Sequence, residues 1–260
     1  MKFKREARNP VKNAIVIIPA RLAATRLPNK PLLRIAGVPM ILHVVARAEE
    51  AGFPRVIVAA GDKEIVDVVT KAGKEAVLTD AAIPSGTDRI YAALQAVDPK
   101  GIYQTILNVQ GDEPAIEPEI IRSVAAILEK GKADISTAVV PLKKEDEQNP
   151  HAVKATMTWY NKSEGHAENF SRVYNAAKPD TQFHHVGIYG YRKAALERFV
   201  KLPPSVREKE EKLEQLRALD AGMTIDAVRV NKESRGVDTA ADLTAVTPMV
   251  VALAKKHERG

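Results

Sequence analysis

From residue 13 to about residue 140, short runs rich in β-branched side chains alternate with stretches whose apolar positions recur at helical spacing. Residues 13–18, 55–60, 75–78, 105–110 and 135–140 read as strands, apolar at nearly every position, as expected of a sheet buried on both faces. Helices are predicted between them at 40–51, from Asp62 to Gly73, at 88–97 and at 118–130, with Gly52 and Gly73 suited to the left-handed position past a helix end. Strand and helix alternating in this way imply right-handed crossovers, a mainly parallel sheet and helices on both of its faces. Ligands in such sheets bind at the carboxyl ends of the strands.

After Pro141 the pattern changes to a charged stretch, Lys143 to Glu147, followed by a strand at 156–160 and a polar segment running to Asp180. A strand at 185–192 leads into helices near 193–200 and 208–221, a strand at 224–230, and a terminal helix from Thr239 in which Pro248 is a candidate kink or break. The expected organisation is an α/β core over 13–140, an inserted region over 141–205 and a return to the core over 206–256.

Composition narrows the possibilities. No apolar run reaches the roughly 20 residues of a membrane span, so no membrane association is expected. The chain has no cysteine, which excludes disulfides, thiolate zinc and a cysteine nucleophile but leaves oxygen-ligated metals open. Of the net charge of +6, residues 2–8 carry +3 and residues 255–259 carry +2, so the body is nearly neutral and nucleic-acid binding is not expected. The basic start leads into a strand rather than an apolar segment with a cleavage site, and the expected location is the cytoplasm.

Four segments carry candidate chemistry. The loop after the first strand, Pro19 to Pro31, holds Arg21, Arg26 and Lys30 among prolines, small residues and leucines, and it is not a glycine-rich P-loop. Two guanidinium forks and an ammonium suit a chain of phosphates, although an exposed basic loop has the same composition. Asn108-Val109-Gln110-Gly111-Asp112-Glu113-Pro114 follows a buried strand and sets Asp112 at the carboxyl edge of the sheet. Asp238, in Gly236-Val237-Asp238-Thr239, reads either as a helix-start residue or as a second carboxylate beside Asp112, a pair that suits a nucleotide-borne Mg²⁺. In His184-His185-Val186-Gly187-Ile188-Tyr189-Gly190-Tyr191 the alternation of a strand puts His185, Gly187, Tyr189 and Tyr191 on one face, either a wall for a hydroxyl-rich ligand or aromatic core packing. Glu208, Glu211 and Glu214 recur every three residues and read as a solvated helix face.

In their order along residues 15–243 these segments, with Ser85-Gly86-Thr87-Asp88-Arg89, Phe170-Ser171-Arg172 and Leu213-Glu214-Gln215-Leu216-Arg217, resemble the 3-deoxy-manno-octulosonate (Kdo) cytidylyltransferase family. The resemblance implies a nucleotide-diphospho-sugar transferase-like α/β fold, with a three-layer, mainly parallel sheet and a small inserted dimerisation subdomain that makes the protein a homodimer. It implies Mg²⁺-dependent transfer of CMP from CTP to Kdo, with release of pyrophosphate, for lipopolysaccharide biosynthesis. By position, Lys30, Arg26, Asp112 and Asp238 would be catalytic, with Asp112 and Asp238 ligating the metal. Arg21, Arg26, Lys30, Ser85, Arg89 and Asp112 would bind CTP, and Arg172, His185, Tyr189, Glu214 and Gln215 would bind Kdo. The chain departs from the family's usual pattern at Asn29, where glycine is common, and at Ile83-Pro84, where a histidine is common. The alternatives are transfer to 8-amino-Kdo or another acidic sugar, and a nucleotide-binding regulator without catalysis; retention of both aspartates and all three loop cations argues against the regulator.

Overall fold

Strand β1 (Ala14–Ala20) shows why the sheet is covered on both sides: Ala14, Val16, Ile18 and Ala20 face one apolar core while Ile15 and Ile17 face another. In the computed structural model, which describes residues 12–23, 27–232 and 236–257, the first core is completed by α1 (Met40–Glu50), α2 (Lys63–Lys71) and α4 (Pro118–Lys130). The second is completed by α3 (Gly86–Val97), α5 (Lys193–Phe199) and α7 (Gln215–Asp220). Two helical layers thus enclose one sheet, the three-layer arrangement expected from the apolar strands.

With β4 (Val56–Ala60), β5 (Ala76–Leu78), β6 (Thr105–Asn108), β7 (Ile135–Pro141), β8 (Lys154–Trp159), β9 (Glu164–Ser171), β10 (Gln182–Arg192) and β11 (Ile225–Arg229), the sheet has nine strands in the order β5-β4-β1-β6-β10-β7-β11-β9-β8. It is mixed. The run β5-β4-β1-β6 is parallel, as is the pair β7 and β11, while β10 lies antiparallel between β6 and β7. The second half of β10 pairs with β6, and its first half pairs through the same edge with β8, so strands from residues 154–192 join the sheet directly.

Several elements escape the sequence pattern. Strand β9 lies in the segment read as polar, because its inward positions Gly165 and Ala167 are too small to register as an apolar alternation. Gly165 is required there: a Cβ would stand 2.5 Å from the Thr158 carbonyl oxygen. The helix expected over 208–221 is two, α6 (Val206–Glu211) and α7, separated at Lys212, which is left-handed with φ 54°. The short hairpin of β2 (Arg34–Ile35) and β3 (Val38–Pro39) was not expected. It packs with α8 (Ala240–His257), which runs through Pro248 as one element, in a third apolar cluster containing Ile35, Met40, Val237 and Val246. Gly52 and Gly73 do adopt the left-handed conformation, at φ 79° and 72°.

Candidate active site

The carboxyl ends of β1 and β6 open into a cleft of about 390 Å³. Its shape depends on Gly111, since a Cβ at that position would lie 2.7 Å from the Pro19 carbonyl oxygen and would push the two strand ends apart. From Lys30 the loop turns into a short 3₁₀ helix (Lys30–Leu32) preceded by Asn29 at φ 55° and ψ 27°. Asparagine is one of the few non-glycine residues that enters this left-handed region readily, which explains physically how it stands where glycine is common. The start of the loop is held by Asp62, whose Oδ2 accepts a 2.7 Å bond from the Leu22 amide instead of capping α2.

Lys30, Asp112 and Asp238 meet in this cleft. The Lys30 Nζ donates to Asp112 Oδ2 at 2.7 Å and to Asp238 Oδ1 at 3.1 Å, joining residues separated by 82 and 208 positions. Burial lowers the pKa of the ammonium, but the two carboxylates outweigh it and the net shift is upward from 10.5. A second link holds the acidic loops side by side: the amide of fully buried Val237 donates to the Asp112 carbonyl at 2.9 Å. Helix capping is not the work of Asp238. Thr239 and Asp242 form the reciprocal pair at the start of α8, with Thr239 N to Asp242 Oδ2 at 2.9 Å and Asp242 N to Thr239 Oγ1 at 3.2 Å. Two carboxylates that share one cationic atom also have the hard oxygen donors and the mutual spacing to share a divalent cation, with phosphate oxygens and water completing its coordination.

Arg21, Ser85 and Arg89 border the same cleft, whereas Arg26 lies outside the described residues. Arg21 is exposed and donates to the Pro84 carbonyl at 3.4 Å. Ser85 caps α3, its hydroxyl accepting from the Asp88 amide at 3.1 Å. Arg89 is 2% exposed and spends its guanidinium on Thr79 Oγ1 and the Asp80 and Ile83 carbonyls, so it braces the loop over residues 79–83. Burial and the nearby Arg21 lower its pKa. Gln110 and Gly111, which line the cleft, were missed as site residues, although both stand in the quoted Asn108–Pro114 segment.

A second wall adjoins the cleft. Tyr189 of β10 pairs with Asn108 of β6, and an added Cβ on Gly187 would come within 3.5 Å of Glu113 Oε1. His185 and Tyr189 are four residues apart, about 13 Å in an ideal strand, yet their ring centroids are only 5.4 Å apart. The cause is a break in register: Val186 pairs with Ala138 and Tyr189 with Thr137, leaving Gly187 and Ile188 as extra residues. Thr137 supports this bulge by donating to the Ile188 carbonyl at 2.7 Å, and its oxygen stands 2.9 Å from His185 Nε2. That network assigns the proton to Nε2 and leaves Nδ1 as an acceptor. Burial, with His184 nearby, pushes the His185 pKa down to about 3, so the ring is neutral at physiological pH. Burial also raises the Tyr189 phenol well above 10, with Tyr191 and Glu214 adding to the shift.

Glu214 stands at the start of α7. Its Oε2 accepts from Thr87 Oγ1 at 2.6 Å, and its Oε1 is enclosed without a hydrogen-bond partner. Although 31% of the side chain is accessible, burial raises its pKa above 4.5. Gln215 beside it is buried. The Arg172 guanidinium donates to the carbonyls of Glu211 at 2.7 Å, Pro150 at 2.9 Å and Lys212 at 3.4 Å. The expected solvated stripe is not one, since Glu208 pairs with Arg217 at 2.6 Å and Glu211 accepts from the Arg172 amide at 3.1 Å.

A doubly covered sheet with a loop lysine and paired carboxylates at its carboxyl edge defines a nucleotidyltransferase, an enzyme class that works by positioning and neutralising phosphate charge. The family model described as Cytidylyltransferase matches residues 15–225. The 3-deoxy-manno-octulosonate cytidylyltransferase of Parvibaculum lavamentivorans is 51% identical over 88% of this chain and 89% of its own, and that of Nitrobacter hamburgensis is 49% identical over the same shares. A solved CMP-2-keto-3-deoxy-manno-octonic acid synthetase complexed with CTP superposes with a TM-score of 0.84 at 34% identity, covering 92% of this chain and 99% of the other. A UDP-glucose pyrophosphorylase, 14% identical with a TM-score of 0.64, shares the fold alone. The chain belongs to the 3-deoxy-manno-octulosonate cytidylyltransferase family.

Proposed function

We propose that this enzyme transfers CMP from CTP to the anomeric hydroxyl of Kdo, with release of pyrophosphate, in the cytoplasmic part of lipopolysaccharide assembly. The observation that carries the reading is the Lys30 ammonium shared between Asp112 and Asp238 in the cleft at the sheet edge. Arg21 and Arg26 bind the triphosphate, and Lys30 steadies charge on the α-phosphate and on the leaving pyrophosphate. As the sugar oxygen bonds to the α-phosphorus, the bond to the bridging oxygen of the β-phosphate breaks, pyrophosphate leaves with that oxygen, and the hydroxyl proton passes to water. Asp112 and Asp238 would hold Mg²⁺. The chemistry such an ion supplies when bound is neutralisation of phosphate charge and a lowered pKa for the attacking hydroxyl.

His185, Tyr189, Glu214 and Gln215 bind the sugar. Neutral His185 and the un-ionised Tyr189 phenol orient hydroxyls without adding charge, while Arg172 secures the segment around Glu211 and Lys212 beside them. A homodimer built on residues 141–205 completes the proposal. The test is pyrophosphate release from CTP and Mg²⁺ with Kdo, and with 8-amino-Kdo in parallel. Rapid release with Kdo supports the proposal, preference for the amino sugar reassigns the substrate, and tight CTP binding without release with either sugar points to a regulator.

A further inference from the structure

The first turn of α3 contacts both parts of the site. Its N-terminal cap, Ser85, borders the phosphate cleft, and two residues later Thr87 reaches in the other direction, to Glu214. Thr87 is 1% exposed, and across 127 positions of sequence its Oγ1 donates to Glu214 Oε2 at 2.6 Å. A carboxylate rotates freely unless one oxygen is tied, and here one is tied while the other is enclosed and unbonded. An enclosed acceptor without a donor is costly, so its retention calls for a donor that arrives from outside the chain. Arg217 Nη2 is 3.9 Å from this oxygen, too far for a hydrogen bond, and is itself engaged by Glu208.

We infer that Thr87 is a positioning residue of the sugar site: by holding Glu214 Oε2 it aims Oε1 at a hydroxyl of the incoming sugar. The inference rests on the proposed acceptor chemistry and adds a residue on the nucleotide-side helix that sets affinity for the other substrate. Burial raises the Glu214 pKa against the lowering effect of the Thr87 and Ser85 hydroxyls, so the first turn of α3 supplies groups that act on this carboxylate.

The test is steady-state kinetics of Thr87→Val, which keeps the shape and removes the hydroxyl, beside Thr87→Ser, which restores it. Loss of one hydrogen bond to a charged group predicts that the KM for Kdo rises about ten- to a hundredfold in Thr87→Val. The KM for CTP stays within about twofold, and Thr87→Ser recovers most of the loss. In a Glu214→Gln background, Thr87→Val should add less than about threefold, because the carboxylate it orients is already gone. A Kdo KM unchanged in Thr87→Val, or Kdo and CTP KM values rising together, would overturn the inference. If Thr87→Val does not fold by circular dichroism, Thr87→Cys takes its place with the same two outcomes. Wild-type enzyme that releases no pyrophosphate with Kdo would instead sink the proposed function, so the two failures are distinguishable.

Discussion

The phosphate cleft and the sugar wall meet at the end of β6 but are built on opposite terms. Charges in the cleft stand on loops, and the Asp238 side chain is 52% accessible. His185 and Tyr189 of the wall stand on β10 among aromatic rings, and burial has moved their titration far from the usual range. A highly charged ligand needs opposite charges whose hydration is shed only on binding. A hydroxyl-rich ligand is better read by neutral, fixed donors and acceptors. On the proposed reading, the difference assigns rate to the cleft and recognition to the wall.

The largest effect that would break this division is expected in the cleft. Lys30→Ala or Asp238→Ala should reduce kcat by about 100- to 1,000-fold at saturating CTP and Mg²⁺ in a pyrophosphate-release assay, with the fold retained by circular dichroism. Near wild-type turnover in either variant would remove the cleft from the chemistry. On the wall, Glu214→Gln should raise the KM for Kdo by about ten- to a hundredfold while leaving that for CTP nearly unchanged.

The same variant sharpens the contrast through stability. The folded-state pKa of Glu214 is raised, so its contribution is favourable below the unfolded-state pKa and is lost as pH rises through the folded value. Glu214→Gln should consequently melt at a higher temperature than wild type near pH 8, with the advantage shrinking toward pH 4. A lower melting temperature at pH 8 would show the carboxylate to be well satisfied.

His185 has the opposite sign. Its folded-state pKa is depressed to about 3, so its contribution is complete above pH 6.5 and is lost as pH falls from there toward 3. Relative to His185→Gln, the wild type should lose about 1 kcal/mol per pH unit between pH 6 and pH 4 in urea titrations. Parallel curves would mean that the ring is reached by water. The smallest effect belongs to the frame of the cleft: Thr239→Ala removes the α8 cap and should cost about 1 kcal/mol in the same titrations. An unchanged midpoint would show that Asp238 takes over the capping.

The legibility of the two regions differs for a physical reason. The cleft was readable because its residues lie in continuous segments after apolar strands: Arg21 and Lys30 follow β1, and Asp112 follows β6. Their chemistry survives any small shift of the backbone. The wall was readable in part, since His185 and Tyr189 share a strand face, but their contact depends on the two extra residues of the β10 bulge and on Thr137 of another strand. Glu214, placed at the sugar site only through the resemblance, reads locally as part of a helical charge pattern, because the break at Lys212 leaves no strong mark: lysine is an unusual choice at φ 54°.

Alternating strands and helices, the two-sided burial of β1 and the cationic loop follow from local sequence, because periodicity, side-chain type and turn chemistry act over a few residues. Other features belong to the tertiary structure: the meeting of Lys30 with Asp112 and Asp238, the transfer of capping from Asp238 to Thr239 and Asp242, and the bond from Thr87 to Glu214. Each joins groups whose partners or free lone pairs are set by packing rather than by neighbours in the chain. A sequence names the groups able to hold a phosphate or a sugar; only the folded sheet decides which of them face one another across a few ångströms.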